Sequence, residues 1–212
     1  EERVGSSSAP RASPSYQVRV LRALPEQLVE AFRLRYLVDR QLGYLAAVEA
    51  QLDIDEYDER AIPLGAFDGA TKDLVGTMRV IHPKPRPDYR RAVRRVRAQT
   101  GAMALGGVTP VRSALVPSAV SPEISQRLVE IAAGLPIYEL SRLIVRPDCR
   151  GCGLSGLLIE MGMALGWYRG PALLVGSCQL RHVSMYARYG FRLLWEDARE
   201  DYFASVGQAA HV

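Results

Sequence analysis

The stretch RPDCRGCGLSG, Arg146 to Gly156, offers two chemistries at once. Cys149 and Cys152 form a C-x-x-C. Ahead of a helix, the first thiolate of such a pair is stabilised by the helix dipole, as redox pairs require, and the same spacing supplies half of a zinc site. Cys178 and the scattered His82, His182 and His211 give no second ligand pair with finger or ribbon spacing, so no metal is expected. Two cysteines flanking Arg-Gly by chance are the preferred explanation. The glycines suggest the other chemistry. Between a strand and a helix, the amides of Arg150, Gly151, Cys152, Gly153, Leu154 and Ser155 can converge on an anion that the helix N-terminus also favours, as phosphate-binding turns do.

A second set of groups is acidic and basic. Glu139 and Arg142 share the strand-like IYELSRLIV, Asp55 and Asp58 fall in LDIDEYDER, Arg35 lies in FRLRYLVDR, and Arg79 in VGTMRVI. A strand carboxylate can take a proton from an ammonium, directly or through one water, and Glu139 is the candidate base. Arg142 or Arg79 can hold a substrate carboxylate by a two-toothed contact. The alternative is structural, with Asp55 and Asp58 paired to Arg35 or Arg79 to order a loop. Alternation in a regular strand turns Glu139 and Arg142 to opposite faces, so their joint use requires a bulge.

These groups need elements to position them. YQVRVL alternates as a first strand, and PEQLVEAFRLRYLVDR opens with Pro25 and sets Leu28, Phe32, Arg35 and Tyr36 near one helix face. AIPLGAFD and DLVGTMRVI read as an antiparallel pair joined by a turn at Asp68 to Lys72. Residues 82–136 loosen into a basic and then Gly-rich segment followed by the helix SPEISQRLVEIAAGLP, an expected helical insertion between the third and fourth strands. IYELSRLIV, the Gly loop and the helix GLSGLLIEMGMALGWYR follow, then PALLVGSC as a buried strand, LRHVSMYARYG as a helix ended by Gly190, and FRLLWE as a final core strand. The order predicts one α/β (α+β) domain over residues 16–212 around a mixed central sheet flanked by helices, after a flexible Ser/Pro-rich tail over 1–15.

With 48% hydrophobic residues the chain is globular, and a net charge of +4 favours acidic partners in general. Its three cysteines are too few for a disulfide scaffold, which points to a reducing cytoplasm. The apolar window Leu154 to Trp167 is interrupted by Glu160 and too short to span a bilayer. The run RPDYRRAVRRVR reads as a helix with a solvated basic face. Docking of an acidic acyl carrier protein or contact with a nucleotide phosphate are its alternatives, and only Tyr89 is interleaved, so nucleic acid is not expected as a partner.

VRPDCRGCGLSGLLIEMG resembles the acyl-CoA-binding motif of the GNAT N-acyltransferases, with Arg150, Gly153 and Ser155 at the pyrophosphate-cradling positions. Ser155 stands where Gly or Ala is usual. VSMYARYGF resembles that superfamily's second motif, in which the Tyr186 position often protonates the departing thiolate. FRLRYLVDRQLGY, LDIDEYDER, VGTMRVI and YELSRLIV further resemble, in order, the polar signatures of acyl-homoserine lactone synthases (autoinducer synthases) and long-chain N-acyl amino acid synthases. Asp53 replaces a usual Glu, and Asp39 a usual aromatic, which turns the reading from lactone chemistry to the acyl amino acid branch.

The resemblance implies a GNAT-type fold with a bulge in the fourth strand. It also implies catalytic roles for Glu139 and Tyr186, substrate contacts at Arg35, Asp55, Asp58, Arg79 and Arg142, and donor contacts at Val145 and at 150–155. The implied reaction is direct transfer of a fatty acyl group from CoA or acyl carrier protein (acyl-phosphopantetheine) to an amino acid amine, with no acyl-enzyme and no tightly bound cofactor. The rivals are an acetyl-CoA acetyltransferase and a non-catalytic binding module with a degenerate GNAT core.

Overall fold

The structure is a computed structural model and describes residues 15–84, 86–102, 122–193, 195–197 and 209–211. The expected tail falls almost wholly outside them, as do Ser121 and the apolar stretch after Ala102. Strands β1 (Tyr16–Val20), β2 (Ala61–Asp68), β3 (Leu74–Ile81) and β4 (Ile137–Val145) form antiparallel neighbours. β4 then pairs in parallel with β5 (Leu173–Gln179). Two short strands, β6 (Trp195–Asp197) and β7 (Ala209–His211), extend the sheet in the order β1-β2-β3-β4-β5-β7-β6.

Helices cover both faces. On one side lie α1 (Pro25–Gln41), α2 (Pro87–Thr100) and α3 (Pro122–Ala132), and on the other α4 (Leu154–Trp167) and α5 (Val183–Ala187). The expected face of α1 is the buried one: Leu28, Phe32, Arg35 and Tyr36 are each no more than 5% exposed. Leu28 and Phe32 pack with Tyr89, Val93 and Val96 of α2 over Leu52 and Ile54. The Tyr89 hydroxyl donates to the Leu21 carbonyl at 2.7 Å, which ties α2 down.

Across the sheet, Leu154, Leu158 and Ile159 of α4 bury completely against Leu64, Met78, Val80 and Leu140. Burial at that level stabilises the fold by about 1.5–3 kcal/mol per side chain. Gly162 lets α4 settle this close, since a Cβ there would meet Leu140 Cδ2 at 3.2 Å. The described helices include none long and apolar enough to cross a membrane.

Two local expectations differ from the structure. The last core strand is shorter than FRLLWE: Phe191 to Leu193 are outside regular structure and the described strand is Trp195–Asp197. LRHVSMYARYG is a 3-10 turn over Leu180–His182 followed by the short α5, with Gly190 at φ +83° ending the segment. The apolar residues of both stretches suit either conformation, and Val183, Met185, Tyr186, Tyr189 and Phe191 join the core of Leu154 and Leu158 without forming longer regular elements.

Two interruptions in the sheet make a site. Ladder pairing of β4 with β5 runs from Ile137↔Leu173 to Leu140↔Gly176, after which β5 turns to β7 through Ser177↔His211. Beyond Leu140 the two strands part. On its other edge, β4 slips register against β3: Arg79 faces Ser141 while Thr77 faces Ile144, so Arg142 and Leu143 stand opposite Met78 alone. Arg142 takes φ +54°, a left-handed conformation that costs a non-glycine residue about 1–2 kcal/mol.

Candidate functional site

Asp55 and Asp58 first organise their own turn. Asp55 Oδ1 accepts from the Tyr57 amide at 2.9 Å, and Asp58 Oδ2 accepts from the Asp55 amide at 3.0 Å, a reciprocal cap on the 3-10 helix Glu56–Arg60. With their backbone positions set, both carboxylates point into the sheet and meet arginines from three other elements.

The result is a closed ring of alternating charge. Arg35 pairs with Asp53 and Asp58, Arg79 with Asp58 and Asp55, and Arg142 with Asp55 and Asp53. Arg35 forks onto both Asp58 oxygens at 2.9 Å and also donates to the Asp53 carbonyl. Arg79 reaches both Asp55 oxygens at 2.6 and 2.7 Å, and its Nε donates to Ser141 Oγ at 2.9 Å. Burial opposes ionisation of Asp55 and Asp58, but the guanidiniums of Arg79 for the first, and of Arg35 and Arg79 for the second, hold both carboxyls below their usual range.

The ring's members are not equivalent. Arg35 and Arg79 are 2% and 4% exposed and their short bonds leave them nowhere to turn. Arg142 is looser, its side chain one-third exposed and its hydrogen bonds to Asp53 and Asp55 long, at 3.5 and 3.3 Å. Its Nε stands 3.2 Å from Asp53 Oδ2 without the alignment of a hydrogen bond. The ring therefore has one partly exposed guanidinium, carried by β4 just past the point where that strand parts from β5.

Two further acidic groups and one phenol lie outside the ring. Glu139 is buried on the same side of β4, where its charge acts on Tyr57 and Arg60. Asp39 follows Arg35 by four residues on α1 and is 6% exposed. Burial pushes its carboxyl up to about 6 against the pull of Arg142, with Asp53 adding to the rise. Tyr186 of α5 lies in the core beneath α4, edge-on to Phe191 with ring centroids 5.6 Å apart. Its phenol is raised by burial first and Cys178 second, so it stays protonated at neutral pH.

The Gly loop leads into α4 beyond the end of β4. Gly151 and Gly153 take φ +80° and +83°, with open space where a Cβ would stand, so glycine is used there for backbone conformation rather than for close packing. The first bond into the helix is from the Leu157 amide to the Gly153 carbonyl, which leaves the amides of Leu154, Ser155 and Gly156 at the helix N-terminus without intrahelical partners. Arg150 Nε donates to the Val145 carbonyl at 3.3 Å, linking the loop to the strand end. The thiols are free: Cys149 is buried and raised by that burial, and Cys152 Sγ donates to the Cys149 carbonyl. Among the described residues no cluster of potential ligands could hold a metal ion.

The structure thus brings Arg35, Asp55, Asp58, Arg79 and Arg142 into one network with Glu139 beside it. The loop residues 150–155 lie at the far end of β4, and Tyr186 sits on the opposite face. The sequence pattern marked Asp53, which is fully buried in the ring, and Asp39 only as departures from a family signature and gave neither a role. A signal was present for both: charged residues at helix spacing on a buried face, and an Asp preceding Ile54, a fully buried residue. The basic helix also acquires a structural duty. Arg90, Arg94 and Arg97 all pair with Glu59, and Arg97 donates to the Asp55 carbonyl at 2.7 Å, so α2 pins the aspartate loop.

No family model matches the chain, and no curated protein does. Solved structures do match. FeeM, an N-acyl amino acid synthase from uncultured soil microbes, is 18% identical, with 93% of this chain and 89% of that chain covered and a TM-score of 0.59. BjaI, a CoA-dependent acyl-homoserine lactone synthase, is 19% identical over 93% of this chain and 83% of that one, at a TM-score of 0.54. An acetyltransferase of Trypanosoma brucei is 13% identical over 87% and 98%, at 0.50. The fold of this chain is accordingly the GNAT acyl-CoA N-acyltransferase fold.

Proposed function

We propose that the protein is an N-acyltransferase that moves a fatty acyl group from a thioester of CoA or acyl carrier protein to the amine of an amino acid. The observation that carries this reading is the parting of β4 from β5 after Leu140 and Gly176, with the α4 amides beyond the end of β4 and the partly exposed Arg142 on β4 two residues past Leu140. An extended pantetheine arm pairs with the unpaired edge of β4 up to Val145, while its phosphate meets the amides of 150–155. FeeM, the first of the fold matches above, is described as an N-acyl amino acid synthase, which favours the acyl amino acid reading over an acetyl one.

The reaction is direct. The acceptor ammonium gives a proton to Glu139, and the free amine attacks the thioester carbonyl carbon. As the C–N bond forms and the C–S bond breaks, Tyr186 protonates the leaving thiolate and recovers a proton from the tetrahedral nitrogen. The sum is an amide, a free thiol and one released proton. Arg142 holds the acceptor carboxylate, and the deep ring of Arg35, Asp58, Arg79, Asp55 and Asp53 keeps Arg142 in place.

Mass spectrometry of organic extracts from cells expressing the protein tests this. N-acyl amino acids absent from cells expressing Glu139→Gln are the expected result. Their absence with wild-type protein, together with acetyl-CoA turnover on simple amines, would replace the proposal with an acetyltransferase.

A further inference from the structure

We propose that Asp39 is the ammonium-binding group of this site, and that Asp39 and Arg142 together select an acceptor carrying both charges, an α-amino acid zwitterion. The inference deepens the acyltransfer reading and rests on it for the identity of the site. Its starting point is charge balance. The ring sets three guanidiniums against three carboxylates, each shared by two partners. Glu139 has Arg60 acting on it from the end of the 3-10 helix. Asp39 is the carboxylate left over.

Asp39 is buried as deeply as the ring members, yet among the described residues its carboxylate accepts no hydrogen bond and forms no ion pair. The charges it feels are Arg142 from β4, Arg35 from its own helix and Asp53 from the aspartate loop. Both arginines are already shared by two aspartates, and Asp53 repels it. A buried carboxylate with no cation of its own is expensive to keep and gives the fold nothing in return. The apolar contact between α1 and this part of β4 is made by Leu34 and Val38 on Ile144.

Its position suits an acceptor amine. Val38 of α1 packs with Ile144, two residues past the bulge, and Arg142 of the bulge acts electrostatically on Asp39, the next α1 residue. The chain after α1 then crosses to the parted strand: Tyr44 Oη accepts from Gln179 Nε2 at 2.5 Å and from Arg181 at 3.1 Å. Asp39 thus precedes that bridge on the chain and feels the charge of Arg142, the one ring guanidinium that is partly exposed. A molecule with an ammonium one or two bonds from a carboxylate satisfies both.

The experiment uses the full chain and two readouts. Binding of each of the twenty amino acids at 10 mM is followed by saturation-transfer NMR, and acyl transfer is followed as thiol release with dodecanoyl-CoA. The expected result is binding of at least one amino acid by wild type and its loss in Asp39→Asn. For that amino acid, KM rises about tenfold or more while KM for the donor and kcat change little. Asp39→Glu restores part of the affinity. The decarboxylated amine still depends on Asp39 and no longer on Arg142. In wild type the amine KM climbs as pH falls below about 6, and in Asp39→Asn it does not. Absence of binding by wild type for all twenty overturns the inference. So does turnover with an unchanged amine KM in Asp39→Asn, which leaves acyl transfer standing. Asp39-dependent binding with no thiol release from dodecanoyl-CoA or acetyl-CoA keeps the site and sinks the transferase reading.

Discussion

Glu139 and Arg142 share one face of β4 although they stand three positions apart, an odd spacing that a regular strand turns to opposite faces, because β4 slips register against β3 at Arg142. Arg142 reaches Asp53 and Asp55, and Glu139 acts on Tyr57 and Arg60 of the same loop. Without the slip, one of the two would point toward α4.

The left-handed φ at Arg142 makes glycine the informative replacement. Arg142→Gly should keep the bulge and fold while losing the guanidinium, so the acceptor KM rises about tenfold or more with the donor KM unchanged. Arg142→Val should in addition lose about 1–2 kcal/mol of stability, because a β-branched residue resists this conformation. Urea unfolding beside steady-state kinetics separates the two effects.

The buried ring predicts a steep cost for breaking it from the inside. Arg35→Met or Asp58→Asn leaves an unpaired buried charge and should destabilise by about 3–5 kcal/mol. Glu59→Ala frees three partly exposed arginines and should cost less than about 1 kcal/mol. Equal midpoints of chemical unfolding for Asp58→Asn and Glu59→Ala would contradict the ring's structural weight.

The carboxylates divide by sign. Asp55 and Asp58 are held low, so the stability they give is fully present above about pH 4, the ordinary value in the unfolded chain, and is lost as pH falls through their folded values. Asp39 is raised to about 6, so the folded protein binds its proton more tightly than the unfolded chain, and its contribution declines as pH rises from about 4 to about 6. Asp39→Asn should therefore be more stable than wild type at pH 8, by roughly 2 kcal/mol, and nearly equal to it at pH 4. A melting temperature at pH 8 no higher than wild type would show that Asp39 costs the fold nothing.

A direct mechanism separates Tyr186 from the cysteines. Tyr186→Phe should lower kcat about ten- to a hundredfold with the donor KM nearly unchanged. Cys149→Ala and Cys152→Ala should each keep kcat within about threefold, since neither thiol carries the acyl group. Complete loss of turnover in both cysteine variants, with the fold intact by circular dichroism, would establish a covalent route.

Much of the framework was legible in the chain. Pro25 and the spacing of Leu28, Phe32 and Tyr36 place α1, alternation places β1, and the positive-φ demand of Gly153 places the turn into α4. The end of the sheet was less so, because FRLLWE is apolar enough for a strand while neighbouring elements decide where pairing starts. Local propensity and hydrophobic period thus determined the elements, and the order of motifs determined the fold they build. Only the tertiary structure decided that Asp53 closes a ring with Arg35 and Arg142, that Arg142 is its least buried member and that Asp39 is the carboxylate left over. Those are properties of residues far apart in sequence, and charge balance exists only once they share one buried volume.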